Sequence, residues 1–194
     1  LGEVMEYICQ RSPLAFIAHP YWTSLSLGDI LGLGYGVGIE VFNTTCQRGI
    51  GRGDSGVHWD ELLARGERTL GFAVDDTHMH YDDALGGWVM VKSPNTNAET
   101  IIEALIAGHF YSSSGPSIED VQFEEGRVTV RCSPCQAVHL ISPWPGCGVT
   151  SYSAGYSGVL TEVTLPFAAE WHPVRIECVD ERGNKAWTNP FWTQ

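Results

Sequence analysis

Three short, continuous apolar runs constrain this chain most: Leu14-Ala-Phe-Ile-Ala18, Val37–Phe42 with Glu40 as its one charge, and Leu70-Gly-Phe-Ala-Val74. Runs of this length without alternation read as strands buried on both faces, the habit of parallel sheets covered by helices. Trp59–Arg65 carries a helical pattern that stops at Gly66. Trp88–Val91 reads as a short fourth strand. Next comes a helix with capping-box spacing at Thr96 and Glu99, an apolar stripe of Ile101, Ile102, Leu105 and Ile106, and Gly108 as its stop. Phe110–Ser113 opens another strand. The alternation predicts an α/β domain over residues 1–117.

After Pro116 the pattern changes. Short strands alternate with turns at Val121–Phe123, Arg127–Arg131, Val138–Ile141, Glu162–Leu165 and Arg175–Val179. This predicts a small antiparallel β-sandwich-like extension over 118–194. Pro143–Gly158, rich in Gly, Pro, Ser and Tyr, reads as a loop. Trp144, Trp171, Trp187 and Trp192 lie in this half, as packing groups or as a carbohydrate-binding platform. Of six cysteines, Cys132 and Cys135 form one CxxC on a strand, and a second pair is lacking. Positions three apart on a regular strand face opposite sides, so neither a chelate nor a crosslink is expected. The thiols read instead as small buried hydrophobes.

Acids outnumber bases 23 to 11, a formal charge of -12, which argues against a free-standing nucleic-acid binder. No apolar run is long enough for a membrane-spanning helix. No signal-peptide pattern is visible, which favours a cytoplasmic location. The first residue is Leu1 rather than Met, the mark of a processed or partial chain.

Each of the three apolar runs ends in polar, reactive residues: His19-Pro20, Asn43-Thr44-Thr45, and Asp75-Asp-Thr-His-Met-His80. In parallel α/β folds function collects at the carboxyl ends of strands. Asp76 and His78 are two apart, so an extended segment turns both to one side. With His19 from a neighbouring strand end they make a carboxylate–imidazole set suited to Mn, Fe or Zn. His80 shares the face of His78 and is a ligand or an outer-shell partner. Asp75 falls on the opposite side, in a structural hydrogen-bonding role. Glu40 inside an apolar strand must be paired or functional. Asn43 is placed to orient a ligand, or to turn the chain. Lys92 is placed either to receive an anionic substrate group or to form a salt bridge.

As an ordered set, Ala18-His-Pro20, Gly38-Ile-Glu-Val-Phe-Asn43, Trp59-Asp-Glu-Leu-Leu-Ala-Arg-Gly66 running into Gly71-Phe-Ala-Val-Asp-Asp-Thr-His78, and Gly108-His-Phe-Tyr-Ser-Ser-Ser-Gly-Pro116 resemble the C-terminal part of the PHP (polymerase and histidinol phosphatase) domain family. The tail ending in Lys185-Ala-Trp-Thr-Asn-Pro190 resembles the β-rich extension of some bacterial members. The resemblance implies the C-terminal part of a distorted β/α barrel and a cluster of two or three divalent metals. It implies metal-dependent hydrolysis of a small-molecule ester, most closely a phosphoester. It places His19, Asp76 and His78 as metal ligands, with Asp76 and His78 also catalytic. The family's N-terminal H-x-H and T-D-H-like motifs are not in this sequence, and a full barrel needs about 250 residues. The expectation is that they lie in an upstream segment or another chain. The alternative is a non-catalytic carbohydrate- or protein-binding module on a truncated scaffold.

Overall fold

A computed structural model describes residues 2–32, 38–79, 82–153 and 158–192. The chain divides into two compact units, Leu1–Ser112 and Ser113–Gln194. The first holds α1 (Gly2–Cys9), β1 (Phe16–Ile17), α2 (Leu27–Leu31), β2 (Gly38–Asn43), α3 (Thr44–Ile50), α4 (Gly56–Leu63), β3 (Leu70–Val74), β4 (Trp88–Val91), α5 (Ala98–Ile106) and all but the last residue of β5 (Phe110–Ser113).

Strands β1, β2 and β3 form a parallel sheet in chain order, Phe16 facing Gly38 and Gly38 facing Leu70. The continuous apolar runs are what such a sheet requires, and Ile39, Val41, Phe72 and Ala73 are buried. Helix α4 lays Trp59 directly on β3. A Cβ at residue 71 would stand 2.6 Å from the indole, so this close approach requires glycine there. The Trp59 indole N–H donates to the Thr69 carbonyl at 2.8 Å. Ser112 of β5 donates to the Gly71 carbonyl (2.7 Å) and accepts from the Ala73 amide (2.9 Å), satisfying backbone groups along β3.

Two helices begin at caps other than those expected. Asn43, the last residue of β2, is also the N-cap of α3: its side chain accepts from the Cys46 amide at 2.9 Å. Helix α5 is capped by Asn97, whose side chain accepts from the Thr100 amide, rather than by a Thr96–Glu99 box.

The expected β/α barrel is not the architecture. Three strands run parallel in an open sheet, most of the remaining strand content is antiparallel, and none of the sheets closes. The physical reason lies after β3, where the described residues form no crossover helix before β4, so the βαβ repeat stops. Strand β1 is also shorter than expected, with only Phe16 and Ile17 in register with β2. Val37, read as the start of the second strand, lies outside the described residues.

The second unit holds β6 (Ile118–Glu124), β7 (Arg127–Cys135), β8 (Ala137–Ile141), β9 (Gly148–Tyr152), β10 (Leu160–Pro166), β11 (Arg175–Val179) and β12 (Lys185–Thr188). Its antiparallel pairings give a sheet ordered β10-β7-β6 and a run ordered β12-β11-β8-β9. Strand β9 falls inside the segment expected to be a loop. Val128, Val130, Val163 and Leu165 of the first sheet are buried, as are Val138, Leu140, Ile176 and Cys178 of the second. The opposite face of β7 is polar: Thr129 meets Thr164 at 3.1 Å, and Arg131 meets Glu162 at 3.1 Å. That alternation is the period-2 pattern of half-buried strands. Among the described residues no helix is long and apolar enough to cross a membrane.

Candidate functional site

The carboxyl ends of β1, β2 and β3 frame a cavity of about 350 Å³, lined by His19, Trp22, Thr45, Cys46, Gly49, Ile50, Asp76 and His78. The parallel pairing brings these residues together from three chain segments, because strands that run the same way put all three carboxyl ends on one side.

The floor is a buried polar chain. Glu40, 6% exposed, accepts the His19 backbone amide at 2.7 Å and the Asn43 side-chain amide at 3.0 Å, both on Oε2. Asn43, fully buried, also donates to Asp76 Oδ2 at 3.2 Å. Two side chains of β2 thus tie it to its neighbours, Glu40 to the loop after β1 and Asn43 to the loop after β3. Burial pushes the Glu40 carboxyl above the ordinary carboxylate range, against the two hydrogen bonds, and the nearby Asp76 charge adds to the rise.

The loop after β3 is not extended. Asp76 has φ 54°, a left-handed conformation uncommon outside glycine. The geometry that brings Asp76 and His78 to one cavity is therefore a turn, not strand alternation. His78 Nδ1 lies 2.6 Å from the Asp76 carbonyl, which can only accept, so Nδ1 carries the proton and Nε2 is left for another partner. The His78 backbone amide donates to Asp83 Oδ2 at 2.9 Å, and Thr45 donates to the same oxygen at 3.0 Å. Those bonds hold the Asp83 carboxyl below its usual range, the His78 amide contributing most. Asp75 accepts from the amides of Leu85, Gly86 and Gly87 at 2.6–2.8 Å. Burial alone would raise Asp75, but these amides with Thr44 hold it below the ordinary carboxylate range.

His19 presents a different feature. Its Nδ1 is buried and has no hydrogen-bond partner, while its ring meets Trp22 edge-on, centroids 5.1 Å apart. Cys46 in the cavity wall is not an activated nucleophile: burial, then the charges of Asp76 and Glu40, push its thiol up to about 11.

Of the residues expected from sequence, His19, Asp76 and His78 line the cavity, and Glu40 and Asn43 brace it from below. Lys92 is exposed and does not line it. His80 lies outside the described residues. Among the described residues, His19, Asp76 and His78 do not draw their donor atoms into one compact metal-ligating group. The group that does so is Cys132, Cys135 and Cys178 in the second unit. Sequence reasoning placed Thr45 at the polar end of the second run without giving it a role, and missed Asp83 and Trp22; Asp83 was one of several acids after β3, with nothing to set it apart. In the second unit, Trp187 is core, and Trp144, 39% exposed, donates its indole N–H to the His172 carbonyl.

No family model, curated protein or solved structure matches the chain.

Proposed function

We propose that the first unit carries the metal-binding site of a hydrolase acting on small-molecule esters, most closely phosphoesters, as the PHP resemblance of its motifs suggests. The observation that carries this reading is the convergence of His19, Asp76 and His78, from loops as far apart as residues 19 and 78, on one cavity.

The residues fit a divalent cation by their chemistry. The buried Nδ1 of His19 lacks a partner. His78 is held through Nδ1 by a backbone carbonyl, the outer-shell bond by which ligating histidines are commonly oriented. Two imidazoles and a carboxylate suit Mn, Fe or Zn. His19, Asp76 and His78 would hold the ion. When bound, such an ion lowers the pKa of water and offsets charge on phosphoryl oxygens.

The chain's own residues do the rest. Glu40 fixes the backbone at His19, and Asn43 fixes Glu40 and Asp76 relative to each other. Asp83 pins the His78 backbone. Asp76 accepts the proton lost by the attacking water. Trp22 and Ile50 wall the cavity.

The test is hydrolysis of p-nitrophenyl phosphate and bis-p-nitrophenyl phosphate with added Mn(II), Fe(II) or Zn(II). It is run on the 194-residue chain and on a longer natural form where one exists. Metal-dependent turnover is expected, slow in the bare chain, and lost in Asp76→Asn and His78→Ala while circular dichroism is unchanged. Turnover indifferent to both substitutions overturns the reading. So does inactivity of every form together with saturable binding to a glycan or protein partner.

A further inference from the structure

We propose that Cys132, Cys135 and Cys178 form a three-thiolate site for a soft d¹⁰ cation, Cu(I) or Zn(II), inside the second unit. The proposal stands apart from the hydrolase reading and shares no residue with it. The three Sγ atoms lie within 4.8 Å of one another, and all three residues are 2% exposed or less. A metal–sulfur bond of about 2.3 Å in a trigonal plane separates the sulfurs by about 4 Å. The thiols therefore need to close by less than an ångström to share an ion.

The arrangement depends on an irregularity in β7. On a regular strand Cys132 and Cys135 would face opposite sides. Here Arg131 pairs with Glu162 and Cys135 with Leu160, so residues 132–134 of β7 face the single residue 161 of β10. The extra residues include Pro134, which a bulge tolerates and a regular ladder does not. Ser133 and Pro134 are both less buried than the cysteines beside them, so the alternation breaks there and Cys135 returns to the buried side, where Cys178 approaches from β11, in register with Val138 and Ala186.

Cys132 donates its S–H to the Leu160 carbonyl at 3.7 Å, a bond it would give up on becoming a thiolate ligand. Cys135 forms part of the wall of a cavity of about 550 Å³, together with Ser133, Gln136, Asp180, Arg182 and Asn184. Among the described residues no fourth His, Cys, Asp or Glu joins the group. Three soft donors suit trigonal Cu(I); Zn(II) would take water from the cavity as its fourth ligand. Each thiol that becomes a ligand releases its proton, so binding strengthens as pH rises.

The test titrates the reduced full chain separately with Cu(I) and Zn(II), and with Cd(II) as the spectroscopic probe, in the His78→Ala background to silence the first unit's candidate site. Expected is a thiolate-to-metal charge-transfer band that saturates at one ion per chain. Cys178→Ala should weaken binding by more than about 100-fold, beyond the usual range of outer-shell changes, and Cys147→Ala should leave it intact. If the Cys178 variant misfolds, alkylation of the parent chain decides. In urea just sufficient to let the metal-free cluster react, bound metal should protect Cys132, Cys135 and Cys178 while Cys9 and Cys147 react as before. The proposal is overturned by no charge-transfer band with any of the three ions, by alkylation that metal does not change, or by a disulfide among the three in the purified chain.

Discussion

The two units bring reactive side chains together by opposite means. In the first, His19, Asp76 and His78 meet at the ends of parallel strands, where topology alone puts loops side by side. In the second, Cys132, Cys135 and Cys178 meet in the buried middle of antiparallel strands, where one bulge and two pairing registers decide which side chains touch. A rim tolerates small errors in strand length, as the two-residue β1 shows. A buried cluster does not, because one residue more or less in β7 would turn Cys135 to the other face.

The largest expected effect tests how far the rim depends on the sheet beneath it. Trp59→Ala removes a fully buried indole that seats α4 on β3. It should lower unfolding free energy by about 3–5 kcal/mol, read from urea denaturation followed through the first unit. A loss under about 1 kcal/mol would mean that the pocket collapses freely and that α4 does not set the sheet's position.

That contrast also explains what was legible in the sequence. Strand β3 was readable because five consecutive residues, Leu70–Val74, are apolar or glycine, and a doubly covered strand needs nothing else. The convergence of His19 with Asp76 and His78 followed from the order of strands, although the left-handed turn at Asp76 did not. The barrel was over-read: β-α alternation in sequence does not say how many parallel strands follow, and here the repeat ends at β3. Helix α3 was hidden because Thr44-Thr45-Cys46 are poor helix formers and its cap, Asn43, was read as a strand end. Strand β9 was hidden by its Gly- and Ser-rich surroundings. The cysteine cluster was out of reach, since no local pattern announces the bulge at 132–134 or brings Cys178 across 43 residues to meet it.

A smaller effect sharpens the account of the rim. Asn43 does two jobs, capping α3 through Oδ1 and bridging Glu40 to Asp76 through Nδ2. Asn43→Asp keeps the cap and replaces the donor with an acceptor beside two carboxylates; Asn43→Ala removes both. Loss of the cap in Asn43→Ala should contribute about 0.5–2 kcal/mol of destabilisation. Both variants should weaken Mn(II) binding about 10- to 100-fold, measured by calorimetry. If Asn43→Asp binds Mn(II) as the parent does, the bridge does not position Asp76 and the floor is merely structural.

The smallest effects separate the two units by pH. In the first unit, Asp75 and Asp83 have carboxyls held below their unfolded value of about 3.9 by backbone amides and hydroxyls. A depressed carboxylate contributes stability that is present above the unfolded value and lost as pH falls through the folded one. The loop after β3 should therefore loosen only below about pH 4. In the second unit, His139 on β8 faces Glu177 across the ladder, with Arg175 and Lys185 near that carboxylate and Tyr152 against its ring. Burial lowers its pKa; Glu177 opposes the shift, and Lys185 and Arg175 reinforce it. The folded state thus binds the His139 proton less readily than the unfolded chain does. Its contribution is complete above the unfolded value of about 6.5 and declines as pH falls from there toward the folded value. Thermal melts at intervals between pH 7.5 and 3 should show a first loss that starts near pH 6.5 and disappears in His139→Gln. A second, below pH 4, should shrink in Asp75→Asn. If His139→Gln leaves the upper slope unchanged, desolvation at His139 does not govern the second unit's response to acid, and that contrast between the units fails.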